Sequence, residues 1–293
     1  MKRSRSNHSR FRSRYSAKET ALAALFLSPA LAVFGLFAYG PFVRIIRWGT
    51  RRSIRNGRRY ENVGLRQYWD VLTGDEFRTG LWHTVQFMLF TVPAGLVLGV
   101  VLAVAADRKL RGIGLFQTVF ASTVATGGAV SVVIFSFLLN PVVGVFPADW
   151  LTNPRMAMFG VSLPSIWQSM GGSFILVLAG LQTIPQEVIE ASQLDGYGPL
   201  RRFFRILMPL VSPVLLFLTV ALITGSLQAY AEIEVLSQGG PAEATETLLY
   251  KIVKADQPAT QMIGAVMSVG LFVITAVFVA IQFRLLERRV HYG

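Results

Sequence analysis

The residues best placed to do chemistry lie between positions 184 and 209, which read Ile-Pro-Gln-Glu-Val-Ile-Glu-Ala-Ser-Gln-Leu-Asp-Gly-Tyr-Gly-Pro-Leu-Arg-Arg-Phe-Phe-Arg-Ile-Leu-Met-Pro. This is a polar, charged island between long apolar runs. It carries Glu187, Glu190 and Asp195 in its first half and Arg201, Arg202 and Arg205 in its second. The spacing predicts two short helices with a break between them. Pro185 suits a first helical turn, where its missing N–H costs nothing, and Glu187 in that turn complements the helix dipole. Gly196 is a natural helix stop, and Pro199 can open the next helix. A loop between membrane spans with this much internal structure is expected to meet a partner.

Other reactive constellations are missing. There is no Gly-x-x-x-x-Gly-Lys-[Ser/Thr] phosphate loop, and no Gly-Lys dipeptide occurs at all. No Gly-x-Ser-x-Gly or His-Glu-x-x-His is present. With no cysteine, disulfides, thiolate metal sites and cysteine nucleophiles are excluded. His8, His83 and His291 lie in different regions and form no metal-ligand cluster. No residue is therefore assigned a catalytic or metal-binding role. Strongly charged residues are nearly absent from the apolar runs, against the midplane relay an ion-coupled carrier uses.

The elements that must position the island are membrane helices. The chain is 53% hydrophobic and only 15% charged, with apolar runs long enough to span a bilayer. The net charge of +12 fits basic loops facing anionic lipid better than nucleic acid, because no DNA-reading helix or aromatic platform accompanies it. The expected fold class is an all-α polytopic membrane protein with six transmembrane helices. A basic tail (1–19) precedes the membrane domain (20–285), and a short tail (286–293) closes the chain. The first apolar stretch is too long for a signal-peptide core and reads as an uncleaved span. The expected spans run over 21–46, 81–106, 113–139, 162–181 (interrupted by Gly171-Gly172), 207–230 and 260–285. Residues 47–80, 140–161 and 231–259 are expected as polar loops.

Counting Lys and Arg orients these spans. With the N-terminus inside, the inner segments hold 16 and the outer ones 12, and nine of those 12 lie in residues 44–80. The Arg51, Arg52, Arg55, Arg58, Arg59 cluster breaks the usual bias. Its expected contact is anionic headgroups of the outer leaflet, or an acidic partner. Every other segment places both termini in the cytoplasm.

The island is also specific in its spacing. Glu190-Ala191-Ser192-x-x-x-Gly196, nine residues, then Ile206-x-x-Pro209 resembles the signature loop of permease subunits in binding-protein-dependent ABC importers. Ser192 stands where the family has Ala, and Met208 where it has Leu. Leu178-Ala-Gly-Leu-Gln-Thr-Ile-Pro185, Val63-Gly-Leu-Arg-Gln-Tyr68 and Gly239-Gly-Pro-Ala-Glu-Ala-Thr-Glu-Thr-Leu248 look like the sugar-transporting branch. The resemblance covers about residues 20–290. It is similar to actinobacterial permeases for sugars, amino sugars or glycerophosphate-type solutes.

This resemblance implies that residues 184–206 form a coupling loop whose helix docks in a groove of a separate ATPase. Glu187, Glu190, Ala191, Ser192, Asp195 and Gly196 would make the contact. Ala191 and Ser192 would keep the surface thin, Glu190 would pair with a basic residue, and Gly196 would let the chain turn. The arginines at 201–205 would meet headgroups. The implied partners are a second, homologous permease, an ATPase dimer that binds ATP and Mg, an extracytoplasmic solute-binding (lipo)protein and membrane lipid. This chain itself would hold no cofactor and, as a multi-pass protein of a bacterial plasma membrane, would catalyse no reaction. A polar solute crossing the membrane needs hydrogen-bonding side chains along its path. Ser226, Gln228 and Tyr230 are the leading candidates, with Gln86, Gln168 and Glu232 behind them. The rival readings are an ATP-independent secondary carrier or lipid flippase, and a membrane-embedded enzyme.

Overall fold

The computed structural model describes residues 17–54, 57–107, 112–146 and 149–286. Most of the expected basic tail with His8, then Arg55, the basic turn 108–111, Pro147 and residues 287–293 with His291, lie outside the described residues. The chain divides into two units, Met1–Arg47 and Trp48–Gly293.

In the first unit, α1 (Ala17–Phe34) continues through a π-helical turn, Gly35–Tyr39, into α2 (Gly40–Gly49). The π turn sits just ahead of Pro41. That residue has no N–H, so a carbonyl of the preceding turn loses its usual partner and the ladder shifts register. Pro29 and Pro41 therefore leave Ala21–Gly49 a continuous apolar helix of 29 residues.

The second unit opens with a hairpin where a polar loop was expected. Strands β1 (Arg51–Ile54) and β2 (Arg59–Asn62) pair antiparallel, with Arg52 opposite Glu61. A short helix α3 (Arg66–Leu72) leads into α4 (Asp75–Ala106), 32 residues long. Asp75 and Glu76 in its first turn complement the helix dipole, so the helix begins six residues before the apolar run does.

The third apolar run is not one helix. Helices α5 (Ile113–Ala125) and α6 (Gly128–Leu138) meet at a 102° bend. Thr126 and Gly127 are extended there, which frees backbone groups that a bilayer cannot satisfy. The Gln168 side chain supplies the missing bond, its Nε2 donating to the Thr126 carbonyl at 3.1 Å.

A one-turn helix, α7 (Asp149–Thr152), precedes α8 (Pro154–Gln182), which Asn153 caps through its side chain. The expected interruption at Gly171-Gly172 does not occur, and α8 runs unbroken for 29 residues. Gly171 serves packing instead: a Cβ there would collide with the Thr123 hydroxyl of α5. Helix α9 (Gln186–Leu194) follows, then α10 (Pro199–Arg202), a π turn Phe203–Leu207, α11 (Met208–Leu210) and α12 (Ser212–Ser226). The fifth apolar run also bends, by 70° at Val211, between Pro209 and Pro213. It ends at Ser226, so Gln228 and Tyr230 lie beyond the helix rather than within it. The expected loop 231–259 contains α13 (Ala231–Leu236) and α14 (Leu248–Lys254), and α15 (Gln261–Leu286) completes the fold.

Among the described residues four helices are long and apolar enough to cross a membrane, and up to six crossings result if each bent pair is one span. Lipid tails are as apolar as leucine, so helices in a bilayer associate through close packing rather than through water release. Helices α4 and α8 pack this way. A Cβ at Gly95 would fall on the Ser169 side chain, and one at Gly99 on that of Ser173. Small residues four apart on each helix thus bring the two backbones together. Phe174, Val177 and Leu181 of α8, Ala103 of α4 and Leu218 of α12 are buried in one cluster beside this seam.

Candidate functional site

Two regions carry the polar groups, and α8 joins them. The first is α9, nine residues and about 14 Å long at the helical rise. Its stop is a Schellman motif: the Tyr197 amide donates to the Ser192 carbonyl at 3.0 Å and the Gly196 amide to that of Gln193 at 3.0 Å. Gly196 has φ +76°, a conformation that penalises a side chain, which explains glycine at this position. Gly198 and Pro199 then open α10, and the Arg201 guanidinium lies 4.7 Å from the Tyr197 ring centroid.

Glu187, Glu190, Ala191, Asp195 and Gly196 are all exposed on or beside α9. Ser192 departs from the expected outward surface. It is 3% exposed and its hydroxyl donates to the Ile189 carbonyl at 2.6 Å. A small residue here lets the helix sit close to its own chain. Leu194, which sequence reasoning passed over, is 89% exposed beside the helix stop. Behind α9 lies a cavity of about 500 Å³ whose walls include Val104 and Asp107 at the end of α4, Ile189 of α9 and Arg202 of α10.

The second region is a cavity of about 380 Å³ between α4, α8 and α12. Ser226 lines it, and so do Gln168 and Glu232. Gln228 and Tyr230 are not among its walls: Gln228 is exposed with its amide 3.4 Å from the Thr224 carbonyl, and Tyr230 stacks on Tyr250. Gln86 is absent from the walls as well. Glu232, a secondary candidate from the sequence, reaches the cavity from beyond α12. It accepts a hydrogen bond from the Ser165 hydroxyl of α8, so α13 returns a carboxylate to the cavity. Nothing in the local sequence around Glu232 distinguishes it from its neighbour Glu234.

The loop that returns the chain is closely tied. Ser237 and Thr245 share a hydrogen bond at 2.7 Å, Thr247 donates to the Ala229 carbonyl, and Thr84 of α4 accepts from the Leu248 amide. Lys254 pairs with Glu234 at 2.8 Å and Lys251 with Glu246 at 2.6 Å. The hydrogen bond to Glu234 raises the Lys254 pKa above its usual 10.5. That link is therefore complete at neutral pH and is lost only as pH climbs through the raised value. Burial raises the Tyr250 pKa too. Among the described residues no three His, Asp or Glu converge as metal ligands.

The two regions are linked through the backbone. One unbroken helix runs from Ser165 at the cavity to Gln182 beside α9, and the chain leaving α9 becomes α12, the opposite cavity wall. Helix α9 is thus tied through the chain to both walls.

Comparison with known proteins gives this arrangement a context. Residues 95–292 match the family described as binding-protein-dependent transport system inner membrane component. The chain is 33% identical over 282 residues to the sn-glycerol-3-phosphate transport system permease protein UgpA of Yersinia enterocolitica, covering 92% of this chain and 96% of that one. UgpA of Agrobacterium fabrum is likewise 33% identical, over 93% of this chain and 97% of its own. In fold, the chain is similar to a chain of a bacterial ABC transporter involved in import of the acidic polysaccharide alginate. That match has a TM-score of 0.78 at 19% identity, covering 92% of this chain and 96% of the other.

Proposed function

The chain belongs to the family of binding-protein-dependent transport inner membrane components, and from that premise we propose that it is a permease subunit of an ATP-driven importer. It forms part of the path for a carbohydrate or related polar solute, of the sugar, amino-sugar or glycerophosphate type. In this reading it crosses a bacterial plasma membrane six times, each bent pair counting once, with both termini in the cytoplasm. It pairs with a second, related permease and receives its solute from an extracytoplasmic binding protein. Two copies of a separate ATPase bind ATP and Mg at the cytoplasmic face.

The observation that carries the reading is α9, an exposed helix with a sharp stop, held between the two elements that wall the cavity. Docked in an ATPase groove, α9 moves when the ATPases close. Helix α8 and the bent α10–α12 segment carry that displacement to the cavity and expose it alternately to each side. Glu190 supplies an ion pair and Leu194 an apolar anchor, while Glu187 and Asp195 extend the acidic surface. Ser192 supports the helix from beneath.

Co-purification in detergent tests this. The wild type should retain the ATPase, and Glu190→Lys and Leu194→Asp should lose it while remaining inserted, with uptake uncoupled from ATP hydrolysis. Normal uptake by both variants at normal expression would sink the proposal. An ATP-independent carrier would show no ATPase with any variant.

A further inference from the structure

The walls of the α4–α8–α12 cavity differ in kind from what a negatively charged solute needs. Glu232 is the one ionisable side chain among the cavity's described walls, which include no Lys, Arg or His. Its carboxylate has one oxygen engaged by the Ser165 hydroxyl, and among the described residues the other takes no hydrogen bond and remains an acceptor site.

The neutral polar groups are also directional. The Thr91 hydroxyl donates to the Phe87 carbonyl at 2.8 Å, and the Ser169 hydroxyl to that of Ile166 at 3.0 Å. Gln168 spends an amide hydrogen on the Thr126 carbonyl at the α5–α6 bend. Those three hydrogens point at the protein's own acceptors, while the second Gln168 amide hydrogen and the Ser173 and Ser226 hydroxyls stay as neutral donors, so what sets these walls apart is their charge: one carboxylate and no cation. The Ser173 hydroxyl, buried in the same wall, has no hydrogen-bond partner.

A cavity whose one charge is negative favours cationic and neutral solutes over anions. Resting on the permease reading above and narrowing its solute classes, we propose that this half of the path accepts a hydroxyl-rich neutral or amino-bearing solute and disfavours phosphate and carboxylate groups, the glycerophosphate type included. Glu232 is the specificity-determining residue. A sugar hydroxyl or an ammonium donates to its free oxygen, whereas a phosphate meets like charge with no cation to offset it. In a low-dielectric cleft one such charge sets the local potential for whatever enters. The solutes in the relatives' names, a phosphomonoester and an acidic polysaccharide, are both anions, so the inferred solute class separates this chain from them.

The chain's lack of cysteine permits a test that needs no knowledge of the solute. Gly225 and Gly172 both line the cavity, and a Cβ at either meets nothing within 4 Å. In the intact transporter in its membranes, Gly225→Cys and Gly172→Cys would be treated with two methanethiosulfonates, one bearing trimethylammonium and one sulfonate. Labelling of this chain is read by mass, with each rate normalised to a free thiol. The cationic reagent should react about tenfold faster, Glu232→Gln should remove that bias, and Ser165→Ala should keep it.

Equal rates, or a bias that survives Glu232→Gln, would overturn the proposal. So would failure of both cysteines to react with either reagent, since the cavity would then be closed to solutes. ATP-dependent uptake of sn-glycerol 3-phosphate at equal rates in the wild type and Glu232→Gln would overturn it as well. If no ATPase co-purifies, the permease reading fails separately and the labelling bias can still be read.

Discussion

Gly196 and Ser192 show how differently two residues of one motif can be legible. Gly196 was readable because its requirement is local: a helix that ends in a Schellman turn needs a residue at positive φ, and glycine adopts that conformation freely. Gly196→Ala should cost about 1 kcal/mol through that backbone alone. Hydrogen–deuterium exchange at the Tyr197 amide, which closes the turn, should then speed up about fivefold, with membrane insertion unchanged. Ser192 was misjudged because its role depends on which side of α9 faces the rest of the chain. Helical periodicity in nine residues of mixed polarity does not settle that. Leu194 was missed for the same reason, since an isolated leucine reads as core until its surroundings are known.

Among the elements, the apolar runs were located and their shapes were not. Hydropathy locates an apolar run whether it is straight or bent, so 113–139 was expected as one helix although it turns through 102° at Thr126–Gly127. Gln168, the residue that makes the break tolerable, lies 42 positions away. The Gly171-Gly172 pair misled in the other direction. In a soluble helix glycines argue for a break, whereas between membrane helices they allow close approach. Gly95 and Gly99 of α4, at the spacing of a small-residue seam, were the overlooked local signal. Gly99→Leu should force α4 away from Ser173 at a cost of about 1–3 kcal/mol, seen as a lower unfolding temperature in detergent. Gly172→Ala, whose Cβ meets open space, should leave that temperature unchanged and serve as the control.

For the whole molecule, the testable question is which polar side chains a solute passes. Ser226 lines the cavity, while Gln228 and Tyr230 lie past the end of α12 and outside its walls. Ser226→Leu should therefore cut uptake by about tenfold or more, and Gln228→Ala should stay within about twofold of the wild type, measured at matched expression. The three had looked equivalent because they sit within five residues of one another. By itself, the sequence determined the class of the molecule and the helix stop at Gly196. Partition into a bilayer is a property of runs of side chains, and a helix stop is a property of one turn, so both are written locally. Only the tertiary structure decided that Glu232 meets Ser165 across 67 residues and that Thr84 meets Leu248 across 164. Those encounters depend on how far each helix is rotated about its axis and how closely glycines let it approach. That is a matter of complementary shape between distant segments, which no single stretch of chain encodes.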